Sequence, residues 1–241
     1  MQGFDLRVSK NKSFTEMLKK FIPKKIKRIV RESHQNYVFN KSVKEFSQLK
    51  ADSLLSEKVL PNLIYGWGNE EMSAGFEYLS AIVEQARKSK EPILECGSGL
   101  STVLLGIIAE KNGNQVWTLE HHPEWAERVR LCLKNFGINS VEMCVAPLRV
   151  YKEFSWYDAP LAKMPDNFSL IICDGPPGDV RGGRYGMLPV MRPFLKSKCV
   201  ILADDASREK DKEVVERWAQ ELNTDFEISG LEKPFATLIV P

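Results

Sequence analysis

Four groups of residues in this chain have the types and the spacing for chemistry. The first is Glu95-Cys96-Gly97-Ser98-Gly99, which follows the apolar Pro92-Ile-Leu94 and precedes a helical pattern opening at Ser101. A strand, a glycine turn and a helix N-terminus in that order cradle a nucleotide, because free backbone N–H groups face the ligand and glycine lets main chain approach it closely. A dinucleotide fingerprint would need a third glycine where Thr102 stands. Glu95 would also repel a pyrophosphate, and it suits a cationic ligand instead. The second group is Glu120, 25 positions further on at the end of the next strand, with His121 beside it. A carboxylate there can accept both hydroxyls of a ribose, or it can cap the helix that follows. The third is Asp174 in Asp174-Gly-Pro-Pro-Gly178, and the fourth is the pair Asp204-Asp205. Carboxylates converging from neighbouring strand ends repel one another unless a cation or shared protons intervene. An oxygen-only set favours a hard cation such as Mg²⁺ or Mn²⁺. The competing reading is structural, with one aspartate capping a helix and another solvated. Asp174 and Asp205 are the candidates for accepting the proton of a hydroxyl nucleophile.

The elements that must hold these groups alternate in type. Strands are expected at Ile93–Cys96, Gln115–Glu120, Val141–Val145, Ser169–Cys173 and Cys199–Ala203, with helices between them. One helix opens at Pro123, a favoured first-turn residue, and buries Trp125, Val129, Cys132 and Phe136 before Gly137 stops it. Another is capped by Ser207 and turns Val214, Val215, Trp218 and Leu222 inward. Two closing strands, Phe226–Ser229 and Thr237–Val240, stand too close together for a helical crossover and should form a hairpin. Alternation of this kind predicts an α/β fold, a Rossmann-like seven-stranded, mostly parallel sheet with helices on both faces. Ligands of such sheets bind beyond the carboxyl ends of the strands, where all four groups fall. The Arg181–Tyr185 loop and the Tyr65-Gly-Trp-Gly-Asn69 segment are candidate lids.

Composition sets the outer bounds. The 241 residues, 43% hydrophobic and 27% charged, suit one α/β core with an accessory segment. The expected division is a basic helical N-terminal extension over 1–70 and a Rossmann-like domain over 71–241. No apolar run approaches the roughly 18 residues of a membrane span. Five scattered cysteines without CxxC spacing point to reduced thiols and a cytoplasmic setting. The net charge of +2 hides an asymmetry, for residues 1–60 carry 14 Lys+Arg against 6 Asp+Glu and the rest carry 20 against 26. Between Arg7 and Arg31 the only acid is Glu16, and Phe14, Met17, Leu18, Phe21, Ile22, Ile26, Ile29 and Val30 recur at helical spacing around a helix-breaking Pro23. Two readings stand open for residues 7–31. They are peripheral contact with an anionic membrane or nucleic acid, or an apolar face packed on the domain or on a second subunit in a homodimer.

The stretch Pro92–Ser101 resembles motif I of the class I S-adenosylmethionine-dependent methyltransferases. The wider pattern, with Asp174-Gly-Pro-Pro-Gly178, Arg184-Tyr185, Ala203-Asp-Asp205, Glu216-Arg-Trp218 and the terminal strand pair, is similar to a bacterial branch of small-molecule or glycan O-methyltransferases. That resemblance implies S-adenosylmethionine as cofactor. It places Glu95 near the methionine ammonium, Gly97, Ser98, Gly99 and Ser101 around the ligand, Glu120 and His121 at the ribose, and Asp174 where cofactor and acceptor meet. Val145-Ala-Pro147-Leu148 departs from the acid–small pair many relatives use for adenine, so Pro147 and its neighbours would hold the base through backbone and apolar walls. The aspartates are similar to the metal set of the catechol type, with Asp205 in place of an amide. Asp174-Gly-Pro-Pro-Gly178 departs from the Asp-Pro-Pro-aromatic motif of nucleic-acid amino-methyltransferases, because a glycine intervenes and no aromatic follows. The implied acceptor is a hydroxylated small molecule or saccharide. The alternatives are N-methylation of a protein or nucleic acid, and a non-catalytic Rossmann module.

Overall fold

The computed structural model describes residues 23–50, 58–69 and 74–241. Among the described residues, three helices precede the sheet: α1 (Lys24–Gln48), α2 (Val59–Trp67) and α3 (Phe76–Lys88). The expected helix around Phe14–Phe21 lies outside the described residues. Then come β1 (Ile93–Cys96), α4 (Leu100–Asn112), β2 (Val116–Glu120), α5 (Pro123–Asn135) and β3 (Val141–Val145). A small hairpin, β4 (Leu148–Val150) with β5 (Ser155–Tyr157), leads to β6 (Phe168–Cys173). The chain closes with α6 (Met187–Met191), β7 (Leu195–Ala203), α7 (Glu209–Leu222), β8 (Phe226–Ser229) and β9 (Phe235–Ile239).

The seven-stranded sheet has the order β3-β2-β1-β6-β7-β9-β8. The first five strands are parallel, and β9 pairs antiparallel with both β7 and β8. This is the Rossmann-like sheet of the sequence expectation, with its terminal hairpin. Period-two alternation splits the central strands between two cores. Ile93, Leu170, Ile172 and Leu202 face the core built with α1 to α5, while Leu94, Cys96, Ile171, Cys173 and Ile201 face the core built with β5, α6 and α7. Both faces are covered, as a parallel sheet requires. The order reverses between β1 and β6, and there the carboxyl ends of β1, β2, β6 and β7 open onto one cleft.

Several details depart from the sequence expectation. In α5 the buried residues are Ala126, Val129 and Leu133, whereas Trp125, Cys132 and Phe136 are only half-buried. His122 is its N-cap, accepting from the Trp125 N–H at 3.4 Å. Ser207 does not cap α7, since that place falls to Arg208, whose side chain makes no capping bond. The stretch holding Trp156 and Tyr157 is strand, and it buries both rings completely. Pro23 stands immediately before α1 instead of inside a helix. Ile26, Ile29 and Val30, read as an apolar face, are exposed, and α1 packs through Phe39, Val43 and Phe46.

Candidate active site

A cleft of about 1060 Å³ lies over these strand ends, bordered by Gly97, Ser98, Glu120, His121, Trp125, Tyr157, Asp174, Arg184, Asp204 and Asp205 among others. The glycine turn after β1 is shaped by close approach. Gly97 has φ +89°, and a Cβ on it would meet the Gly175 nitrogen at 3.0 Å. The same crowding is mutual, for a Cβ on Gly175 would meet the Gly97 Cα at 3.0 Å and collide with the Tyr157 hydroxyl. The Cys96 carbonyl accepts from both Asp174 N (3.0 Å) and Gly175 N (2.7 Å). Main chain therefore locks the β1 turn to the β6 turn.

Thr102 explains the missing third glycine. Its hydroxyl accepts from the Gly99 N–H at 2.8 Å and donates to Glu95 Oε2 at 2.7 Å. Thr118 donates to the same oxygen at 2.8 Å. Glu95 is fully buried, and its Oε1 has no hydrogen-bond partner. Burial pushes its carboxyl up from the usual 4.5 to about 7, against the opposing hydrogen bonds from Ser101, Thr102 and Thr118. A buried acceptor left unpaired costs free energy that a cationic ligand above it would offset. Ser101 is itself buried on the first turn of α4.

Glu120 closes the other side of the turn. Its Oε2 accepts from Ser98 N (3.0 Å) and Ser98 Oγ (2.8 Å), and its Oε1 accepts from His122 N (2.9 Å). His121 Nδ1 lies 3.2 Å from Oε1. Trp125 Nε1 donates to the Ser98 carbonyl at 2.7 Å, so α5 braces the turn as well. Oε2 already accepts two bonds, so the lone pair left for a hydroxyl in the cleft is on Oε1. Pro147 is exposed and is not among the residues lining the cleft, and its carbonyl accepts from Asp158 N.

Oxygens of Asp174, Asp204 and Asp205 all lie within 4.8 Å of one another. What holds them together is Arg184, whose side chain is 3% exposed. Its Nη2 donates to Asp205 Oδ2 (2.7 Å) and to the Asp174 carbonyl (2.7 Å), and its Nε reaches the same carbonyl (3.1 Å). Nη1 donates to the Asp204 carbonyl (2.7 Å) and to Asp211 Oδ1 (3.2 Å). Arg208 adds a second donor to Asp205 Oδ2 at 2.7 Å. Asp205 sits in the left-handed region at φ +61°, a conformation aspartate tolerates better than most side chains. Asp204 is buried, its Oδ1 is unpartnered, and burial followed by the charges of Asp174 and Asp205 pushes it up to about 7. Burial likewise raises Asp174, with Arg184 pulling it back.

Sequence reasoning named the three aspartates but missed that a buried guanidinium is their counter-charge. The charge problem stated from sequence was itself the signal, since a basic residue nearby was one of its solutions. Reading Arg181–Tyr185 as a lid is corrected here. Arg184 and Tyr185 are buried, and a Cβ on Gly182 or Gly186 would run into Phe154. Of the other candidate lid, Trp67 is buried and only Asn69 reaches the cleft. Tyr157 and Trp125 border the cleft and carried no site expectation.

The chemistry of the cleft divides in two. The side formed by Gly97, Ser98 and Glu120 can accept a hydroxyl, with Glu95 fully buried beneath it and not among the residues bordering the cleft, and the aspartate side can hold a hard cation or accept a proton. Comparison with known proteins gives a consistent answer. Residues 94–206 match the model of a family described as a methyltransferase domain. No curated protein sequence matches the chain. Among solved structures, a Podospora anserina methyltransferase bound to S-adenosylhomocysteine aligns over 100% of this chain and 99% of its own, at 13% identity and a TM-score of 0.56. An O-methyltransferase from Bacillus cereus, in complex with the same product, aligns over 79% and 94% at 13% identity and a TM-score of 0.57. A precorrin-6y C5,15-methyltransferase from Geobacter metallireducens aligns over 72% and 96% at 14% identity and 0.52. The last two modify different kinds of atom on one fold.

Proposed function

We propose that this enzyme, whose residues 94–206 match a family described as a methyltransferase domain, is of the class I, S-adenosylmethionine-dependent type and methylates a hydroxyl oxygen of a small molecule or saccharide. The observation that carries this reading is the placement of three carboxylates, Asp174, Asp204 and Asp205, in the same cleft as the glycine turn and Glu120. The Bacillus cereus O-methyltransferase of the same fold agrees with it. A hydroxyl is a weak nucleophile until its proton leaves, and these carboxylates are the groups able to take it.

In this reading Gly97, Ser98, Gly99 and Ser101 shape the cofactor side, Glu95 faces the ammonium, and Glu120 with His121 takes the ribose. The donor set fits the cofactor: Glu95 Oε1 is an unpaired buried acceptor, and Gly97 leaves its turn free of a side chain. S-adenosylmethionine supplies an electrophilic methyl group on a sulfonium. The protein aligns the acceptor oxygen, keeps water out and removes the proton at Asp174 or Asp205. The three aspartates also fit Mg²⁺ or Mn²⁺, since Asp204 Oδ1 is unpartnered and all the donors are oxygen. They would hold it, and it would lower the hydroxyl pKa and anchor the oxygen.

The test is transfer of a labelled methyl group to a panel of catechols and saccharides, each paired with its amine analogue, with Mg²⁺ and then with EDTA. Label on hydroxyl acceptors supports the reading, and loss of transfer in EDTA assigns the aspartates to metal. Label on amines alone would replace oxygen by nitrogen as the target.

Two further results are expected on the cofactor side. Glu120→Ala should weaken S-adenosylhomocysteine binding by about 1–3 kcal/mol through lost charge-assisted hydrogen bonds. Unchanged affinity in calorimetry of the folded variant would remove Glu120 from the ribose. Glu95 makes binding proton-linked. Its carboxyl titrates near 7 when buried and alone, and a neighbouring ammonium draws it toward the ionised form. Cofactor binding should therefore release protons below pH 7, and affinity should rise with pH until about 7 and then level off. Titrations in buffers of different ionisation enthalpy measure this, and heats independent of buffer would detach Glu95 from the ammonium.

A further inference from the structure

The first three turns of α1 extend beyond the body of the protein. Every residue from 23 to 34 is exposed, and burial begins at Gln35 and continues through Phe39, Ser42, Val43 and Phe46. At 3.6 residues per turn these five share one side of the helix. Ile26, Val30 and Tyr37 fall on the opposite side and Ile29 on a flank, and they are 49%, 62%, 67% and 49% exposed respectively. The helix thus carries two apolar stripes, of which the domain covers one. Packing on the domain accounts for the inner stripe and leaves the outer one in water. Lys25 and Lys27 flank the outer stripe, Lys24 and Arg28 lie on the side away from it, and no acid precedes Glu32 in this helix.

We infer that this overhang docks on an anionic lipid surface, lying along it with Ile26, Ile29 and Val30 toward the acyl chains and the lysines among the phosphates. Charge selects this occupant over a second copy of the chain. Residues 23–31 carry five cations and no acid, and a second copy would bring the same excess of positive charge against them. Lipid phosphates supply the missing sign along the whole helix. The sequence on the N-terminal side has the same character, with Glu16 the only acid between Arg7 and Arg31. Among the described residues no helix is long and apolar enough to cross a membrane, so the contact is peripheral.

The experiment is co-sedimentation of the full chain with phosphatidylcholine vesicles, either pure or containing about one third phosphatidylserine. The protein should pellet with the anionic vesicles and not with the neutral ones, less so as salt rises. Ile29→Glu with Val30→Glu should abolish pelleting. Reversing Lys24, Lys25 and Lys27 to Glu should weaken it by about fivefold or more per lysine. S-adenosylhomocysteine titrations of both variants should match the parent, since none of these side chains is buried in the domain. Equal behaviour with the two vesicle types would overturn the inference, as would retained binding by the Ile29→Glu, Val30→Glu variant. A dimer in sedimentation velocity that this variant splits, without vesicle binding by the parent, would assign the stripe to a second copy.

Discussion

Arg184→Met should destabilise the protein by about 3–5 kcal/mol, the range for removing one partner from a buried ion pair. The side chain is 3% exposed and tied to Asp205 and Asp211, and to the carbonyls of Asp174 and Asp204. Without it, Asp205 keeps Arg208, but Asp211 loses its buried partner and two carbonyls lose their donors. Burial already raises Asp174, Asp204 and Asp211, and Arg184 is the charge pulling all three back. Arg184→Lys should recover only a fraction, because an ammonium cannot reproduce a planar fork that reaches two strand ends and a helix. Urea unfolding checks both variants. A loss below about 1 kcal/mol for Arg184→Met would show that the carboxylates are neutral and need no counter-charge.

Asp174→Asn should leave the fold and cofactor affinity in place and lower turnover by about 100-fold or more, the range for losing a general base. The argument rests on which atoms of residue 174 are used. Arg184 reaches it chiefly through its carbonyl, at 2.7 and 3.1 Å, while the side-chain oxygen is 3.4 Å away. Asparagine keeps the carbonyl and the shape. The carboxylate itself is 33% exposed, on the cleft side. Asparagine removes only the negative charge and the capacity to take a proton. Single-turnover rates at saturating acceptor, beside a calorimetric titration, separate these effects. A fully active variant would take Asp174 out of the reaction and leave Asp205 as the base to test.

Much of the fold was legible because periodicity carries it. The runs ending at Cys96, Glu120, Val145, Cys173 and Ala203 are strands at or near the expected bounds, and the short link before Phe235 does form a hairpin. The β4–β5 hairpin escaped because two three-residue strands are too short for alternation to register. The Ser207 cap escaped because Asp205 adopts the left-handed region, which redirects the chain so that α7 starts one residue later than that cap would require. At the site, residue type announced Glu95, Glu120 and the aspartates. Their interdependence was not readable. Thr102 caps Gly99 from three residues away, but nothing local links Arg184 to residues 204, 205 and 211, since those contacts depend on how strand ends from distant sequence meet. From sequence, residues 7–31 carry two open readings for a related reason. Apolar spacing indicates that a helix has a face and says nothing about which side the domain occupies.

The interlock of Gly97 with Gly175 has an evolutionary corollary. Two peptide segments without side chains, joined through the Cys96 carbonyl, set the spacing between the Glu120 side of the cleft and the aspartate side. Peptide geometry is the one part of a protein that substitution leaves unchanged. In the proposed reading, cleft residues at the start of α7 can therefore vary without altering the distance between the two sides of the cleft. A lineage built on this turn can explore new acceptors while its donor geometry is inherited intact.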